Sequence, residues 1–426
     1  MTARRIIVVS YFHPPFSGAG GVRWLSMARH LRRLGHSVTI VATDAFGRLP
    51  DDDANGVIRI HDLRSTRAFR RLLRRGDVTV PGSSTPEAPP TFLLTRVFVP
   101  DAQVVSWVPG ALAAVRRLIA REEVDCLITT SPPESVHLIG LALRGRRPAW
   151  VADFRDGWSF EPLREPFATA SQRRLDGWLE HRVARAADAT VGAYAAVADD
   201  LAQRLHARTR YISNGWDPLI SGGQCAGSET DDMPVRGGRA FTFVYTGTLS
   251  GVRGLDPAPF FDALRAALET PGVPNARLLI AGRLTNDEQA IIDRSGVGHV
   301  VEHLGMLSHR DAVSLQRSAD ALVLLTAPHA SAATAKVFEY LATGKPVIAL
   351  ADASEAADII RNANAGIVVP PEDVAAITEA LVSALRGDLR VGSRSHGIDE
   401  YAYPRPAEAM EEVIEAAIES RGRTRK

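Results

Sequence analysis

Lysine is nearly missing from this chain: of its 50 basic residues in 426, only Lys336, Lys345 and Lys426 are lysines. A compact ammonium and a planar guanidinium are not interchangeable where geometry is tight, so the two lysines that fall inside one stretch, 327–350, draw attention. Cysteine is as scarce. Cys126 lies in an apolar run and Cys225 in a polar one, which excludes a disulfide framework and a cysteine metal cluster and makes a reducing setting the default. Net charge is close to zero, at a formal +1, which argues against a general nucleic-acid binder. Long hydrophobic runs are missing too. The start, MTARRIIVVSYFHPP, carries an apolar run of only about four residues, and nothing approaches the ~18 uninterrupted apolar residues of a membrane span. The expectation is a cytoplasmic protein, at most peripheral on the inner membrane face.

What is present is alternation. RIIVVS (5–10) leads into a helical pattern in which Val22, Leu25, Ala28, Leu31 and Leu34 recur at three- and four-residue spacing up to Gly35, and SVTIVAT (37–43) follows. Further β-type runs are DCLITT (125–130), AWVAD (149–153), ATVGAY (189–194) and RYIS (210–213). Strands alternating with helices predict parallel sheets covered on both faces. Residues 44–108, with PGSSTPEAPP, read as an irregular insertion. After a glycine-rich polar stretch at 221–238 the alternation restarts, with FTFVYTG (241–247), RLLIAG (277–282), HVVEHLG (299–305), ALVLLTA (321–327), PVIALA (346–351) and GIVVPP (366–371). Asp256 before Pro257, and Ser308 with Asp311, announce two of the helices between them. The expected fold class is therefore α/β, with two doubly wound Rossmann-like domains at 1–220 and 239–403 and a final helix, 404–426, crossing back to the first. Ligands of such sheets bind at the carboxyl ends of the strands, so an interdomain cleft is the expected site.

Thr334 to Ala342 read as a helix that starts beyond a strand's carboxyl end, after the small residues of APHASAATAK. Lys336 falls in its first turn, where a cation opposes the helix dipole. A nearby anion explains it, and so does an exposed ion pair with Glu339 three residues on. The stretch SGAGGV (17–22) fails as a dinucleotide fingerprint because Arg23 holds the third glycine position and YFHPPFS intervenes after the strand. Asp44, at the end of the second strand, is the one feature favouring a nicotinamide.

The stretches TAKVFEYLATGKPVI, YTGTLSGVRGLD (245–256), VADFRDGW (151–158) and YFHPPFSGAGGVRW (11–24) together resemble the retaining, GT-B-fold glycosyltransferases of family 4, in that family's order and over nearly the whole chain. The resemblance implies a nucleotide-diphosphate sugar as co-substrate, no metal and no other cofactor. The family's basic pair on the diphosphate falls on Thr248 and Arg253, so that Arg253 and Lys336 would carry the phosphate neutralisation as the catalytic cations. Gly20 and Gly21, with Gly18, would let backbone approach the donor. Gly247, Met306, Ala333, Thr334 and Ala335 would complete the donor pocket, and Glu339 would accept from the ribose diol. A glutamate that grips the sugar in the family is replaced by Ser331 in Ser331-Ala332-Ala333-Thr334, and His329 is positioned to take over a polar contact.

Asp153, Arg155 and Asp156 follow a strand in a region that lies near the acceptor in the resembling enzymes. Asp156 would orient or deprotonate the incoming hydroxyl, although Asp-Arg-Asp reads equally as a self-contained ion-pair cluster. His13 and His137 are weaker candidates on that side. RSTRAFRRLLRRG (64–76) reads either as a solvated basic helix or as an amphipathic contact with anionic membrane. The acceptor is left open among a polysaccharide, a lipid-linked saccharide and a small natural product. A GT-B-fold sugar-nucleotide epimerase or phosphorylase, and a non-catalytic nucleotide-sugar binder, remain as alternatives.

Overall fold

A computed structural model describes residues 2–16, 19–63, 97–143, 145, 147–160, 164, 166–218, 240–247, 249, 255–326, 335–352, 354–389 and 398–424. The chain divides into two compact units, Met1–Asn214 with Tyr403–Lys426, and Gly215–Ala402.

The first unit is a parallel sheet of β1 (Arg5–Ser10), β2 (Ser37–Thr43), β3 (Val57–Ile60), β4 (Cys126–Ser131), β5 (Ala149–Phe154), β6 (Ala189–Gly192) and β7 (Thr209–Tyr211), in the order β3-β2-β1-β4-β5-β6-β7. Its helices are α1 (Ala19–Arg33), α2 (Gln103–Ser106), α3 (Val108–Arg121), α4 (His137–Ala142), α5 (Ala170–Ala186) and α6 (Ala195–Gln203). Central strands are covered on both faces, which is why β4 and β5 are buried at every position and read as unbroken apolar runs with polar ends. Strand β3 corrects the expectation of an irregular 44–108. It pairs in parallel with β2, Ile40 against Val57, as an edge strand of four residues whose side chains are mostly half-buried. So short and weakly patterned an edge gives little periodic signal.

The second unit holds β8 (Phe241–Thr246), β9 (Ala276–Ala281), β10 (Val301–Gly305), β11 (Ala321–Leu325), β12 (Val347–Leu350) and β13 (Gly366–Val369), all parallel, in the order β10-β9-β8-β11-β12-β13. Between them run α7 (Ala258–Leu268), α8 (Asn286–Ser295), α9 (His309–Ser318), α10 (Ala335–Thr343), α11 (Glu355–Asn362) and α12 (Val374–Leu385). The Ser308 hydroxyl accepts from Asp311 N at 3.2 Å and so caps α9, while Asp256 accepts from Ala258 N at 2.9 Å at the start of α7. The last helix, α13 (Arg405–Thr424), belongs to the first unit. Its Ala407, Met410, Ile414 and Ala417 share a core with Ile6 and Val8 of β1 and Trp24, Met27 and Leu31 of α1. Arg4 clamps it through a two-point contact with Glu415 at 2.8 and 2.6 Å.

Candidate active site

In the second sheet the chain visits β9 and β10 on one side of β8, then β11 to β13 on the other. Strands β8 and β11 therefore flank the topological switch point, where such sheets bind ligands beyond the strand ends. Gly247 follows β8 with φ +118, a left-handed conformation that favours glycine, and a methyl group there would overlap the Lys336 ammonium. Gly282, after β9, lies so close that its own Cβ would overlap the Gly247 carbonyl. Two strand ends thus close together without side chains, and the space left is filled by Lys336 from the first turn of α10. Its Nζ is 3.4 Å from the Tyr245 hydroxyl and 5.0 Å from the Tyr245 ring centre, so the half-buried ammonium is held against an aromatic face.

One turn on, half-buried Glu339 receives a long hydrogen bond from Gln316 Nε2 at 3.4 Å. The same Nε2 donates to Thr246 Oγ1 at 3.0 Å, and the Tyr340 hydroxyl accepts from Thr246 N at 3.0 Å. Burial pushes the Tyr340 phenol up to about 12 against the Thr246 hydrogen bonds, so it stays neutral. Gln316 Oε1 and Thr326 Oγ1 are buried and find no partner among the described residues. An ammonium at a helix start beside a glycine-cleared approach suits phosphate, and a carboxylate one turn later suits a vicinal diol. Gly247, Lys336, Ala335 (the first residue of α10) and Glu339 are brought together here. Met306 stands 69% exposed after the edge strand β10, two strands away from β8. Arg253, Thr248, His329, Ser331, Ala333 and Thr334 lie outside the described residues.

In the first sheet the switch point lies between β1 and β4. Gly20 and Gly21 form the first turn of α1, and a Cβ on Gly21 would sit 3.0 Å from the Phe16 carbonyl oxygen, so this glycine serves the chain's own packing. Two acceptor-side expectations need correction. Asp153 is fully buried: its Oδ1 accepts from Arg23 at 3.1 Å, and its Oδ2 accepts from Trp24 Nε1 at 2.8 Å and Thr130 Oγ1 at 2.9 Å. Burial alone would raise its pKa, but the Arg23 guanidinium and these hydrogen bonds hold it below the usual carboxylate range. Arg155 is buried as well and donates to the Ser131 and Pro132 carbonyls at 2.9 and 2.5 Å. Both residues are spent inside the unit, so neither is presented to an acceptor.

Asp156 is half-buried, and it adds to the charge around a residue the sequence reading passed over, Glu134. Glu134 follows β4 and Pro132-Pro133, is half-buried, and is pushed up to about 7 by burial, with the Asp101 and Asp156 carboxylates adding to the effect and Arg164 opposing it. Arg164 is already engaged by Asp176 at 2.8 and 3.1 Å. The signal in the sequence was SPPES, directly at a strand's carboxyl end. His13 is buried, its pKa lowered to about 4 by burial and then by Arg59, and its Nδ1 has no partner among the described residues. His137 is fully buried with Nδ1 2.8 Å from Thr129 Oγ1, and burial lowers it to about 3, so it is a neutral structural group.

Known proteins share this architecture. A family model described as glycosyl transferases group 1 matches residues 240–387, and one described as a glycosyl transferase 4-like domain matches 18–215. A phosphatidyl-myo-inositol mannosyltransferase of Mycobacterium leprae is 34% identical over 133 residues, 30% of this chain and 33% of the relative. The match thus spans about a third of that curated relative's length. A sucrose-phosphate synthase from Thermosynechococcus elongatus superposes with a TM-score of 0.62 at 15% identity, covering 96% of this chain and 98% of that one. The Anabaena protein HepE, solved in complex with UDP, superposes with a TM-score of 0.58 at 16% identity, covering 99% of both chains. These likenesses show the GT-B fold, and the two family matches together cover every strand of both units except β1. The chain belongs to the group 1 glycosyltransferases of family 4.

Proposed function

We propose that the protein is a retaining glycosyltransferase that moves a sugar from a nucleoside-diphosphate donor to a hydroxyl acceptor. The observation that carries this reading is the cradle at the second sheet's switch point, where Gly247 makes room for the Lys336 ammonium one turn before the Glu339 carboxylate. Lys336, Arg253 and the backbone N–H groups at the start of α10 neutralise the departing diphosphate, and Glu339 accepts from the ribose diol. His329, Ser331, Ala333 and Thr334 read the sugar and Thr248 and Met306 border the donor, while Gly20 and Gly21 are donor-binding by the resemblance alone. The bond from the anomeric carbon to the phosphate oxygen breaks as that carbon bonds to the acceptor oxygen on the same face. Asp156, beside Glu134, orients the acceptor hydroxyl and takes its proton. Protein cations supply the charge stabilisation, without a metal or other cofactor.

The family membership supports transfer over epimerisation, and the UDP bound to HepE supports a nucleotide donor. Among acceptors, the mannosyltransferase relative, named for phosphatidyl-myo-inositol, favours a lipid-linked one. Incubation of the protein with UDP- and GDP-sugars and an extract of polar lipids, read by NMR of the new anomeric centre, tests the reading. It expects a product with the donor's anomeric configuration. Conversion of donor alone to an epimer, or wild-type turnover in an Arg253→Ala, Lys336→Ala double variant, would refute it.

A further inference from the structure

The solvent face of α5 has a composition that nothing in the donor or acceptor site uses. Ser171, Arg174, Leu175, Trp178, His181, Arg182 and Arg185 recur at three- and four-residue spacing and are all exposed. Trp178 is 55% exposed and stands at the middle of this stripe, with Leu175 at 45% one turn before it. An exposed tryptophan flanked by arginines is unusual for a surface that meets only water. The Arg182 guanidinium lies over the Trp178 ring at 5.5 Å, keeping ring and charge on the same side.

The acids of this helix are elsewhere. Asp176 and Glu180 are buried and face inward, paired with Arg164 at 2.8 Å and with Arg204 at 2.8 Å. The exposed stripe therefore carries four basic or titratable cationic side chains and no carboxylate. The apolar surface extends beyond the helix. Gln172 Nε2 donates to the Val97 carbonyl at 3.3 Å, which brings Val97, 58% exposed, and Phe98, 39% exposed, to the same end of α5.

We infer that this face of α5 is a docking surface for an anionic lipid bilayer, with Trp178 and Leu175 seated at the headgroup level and the arginines on lipid phosphates. Tryptophan is favoured at that depth because its ring is apolar and its N–H is polar, and arginines gain from the negative surface potential. Charge complementarity selects this occupant over the chain's own insertion. Residues 64–96 contain seven arginines against Asp77 and Glu87, so they are themselves basic and repelled by such a face. No helix among the described residues is long and apolar enough to cross a membrane, so the contact is a surface one.

The test uses the full chain and sucrose-loaded vesicles of phosphatidylcholine, alone or mixed with phosphatidylglycerol, at low salt. Recovery should rise with phosphatidylglycerol and fall again at high salt. A Trp178→Ser, Arg182→Ser, Arg185→Ser variant should lose it by more than tenfold, since each arginine near an anionic surface gives roughly a fivefold gain. The positions are exposed, so the variant's melting temperature should match the parent's. As a second readout, anionic vesicles should shift tryptophan emission to the blue in the parent and not in Trp178→Phe. Equal recovery on neutral and anionic vesicles, or recovery untouched by the triple substitution, would overturn the inference. So would a Trp178 already shielded from acrylamide in the lipid-free protein, which means that the chain or a second copy covers the face. Binding to polyglutamate without binding to vesicles would assign the surface to an acidic protein instead.

Discussion

The two sheets treat the charges at their strand ends in opposite ways. In the first unit, Asp153 at the end of β5 is fully buried and holds three donors, among them an arginine 130 residues away in sequence. In the second, Lys336 and Glu339 beyond β11 are half-buried, and the Lys336 ammonium occupies the space that a side chain at position 247 would take. A saturated buried pair organises a fold, while half-buried charges beside glycine backbone suit contact with a ligand. Charged groups just past a strand look alike in sequence, and their burial and surroundings are what distinguish them.

Removing Asp153 should have the largest effect. Asp153→Ala leaves the Arg23 guanidinium buried without its carboxylate and should cost about 3–5 kcal/mol, seen in chemical denaturation. A stability loss under about 1 kcal/mol would dissolve the contrast between the units. Gly247→Ala should do the reverse. Displacing the Lys336 ammonium should lower turnover by about 10²-fold, near 3 kcal/mol of transition-state stabilisation, and unfolding measurements should show the protein still folded. Turnover close to wild type would mean that Lys336 does not meet the charge that develops.

Glu134 offers a smaller, pH-dependent test on the first unit. Its carboxyl is raised from 4.5 to about 7 in the fold, so between those values the native state holds more protons than the unfolded state and stability falls as pH rises. Glu134→Gln should therefore stabilise the protein at pH 8 by about 1–2 kcal/mol, discounted for partial exposure, and should change little at pH 4. Melting temperatures of both proteins across that range decide it, and a gain that does not depend on pH would place the effect in packing instead.

Much of the architecture was legible because buried parallel strands must be apolar on both faces, and ALVLLTA or DCLITT permits little else. The Ser308 cap was legible for a local reason, since donor and acceptor are three residues apart. Lys336 stood out because lysine is rare here and sits where a helix start disfavours it. What escaped was set by distant partners. Nothing near VADFRDGW announces that Arg23 and Trp24 will claim Asp153, and nothing in SPPES announces that Asp101 and Arg164 will face Glu134. The face of α5 inferred to meet a membrane was equally hidden, because LDGWLEHRVARA shows its acids and its arginines together, and only the fold turns the acids inward. Strand β3 was lost to its brevity.

Under the proposed function, the second sheet's switch point holds a nucleoside diphosphate. Thermal unfolding of the protein against UDP, GDP, ADP, dTDP and CDP tests it most directly, with Lys336→Ala in parallel. A nucleotide at a hundred times its dissociation constant should stabilise the native protein by ~2.7 kcal/mol. One of the five should raise the melting temperature of the protein and leave that of Lys336→Ala unchanged. An equal shift in the variant, or no shift with any nucleotide, would contradict it.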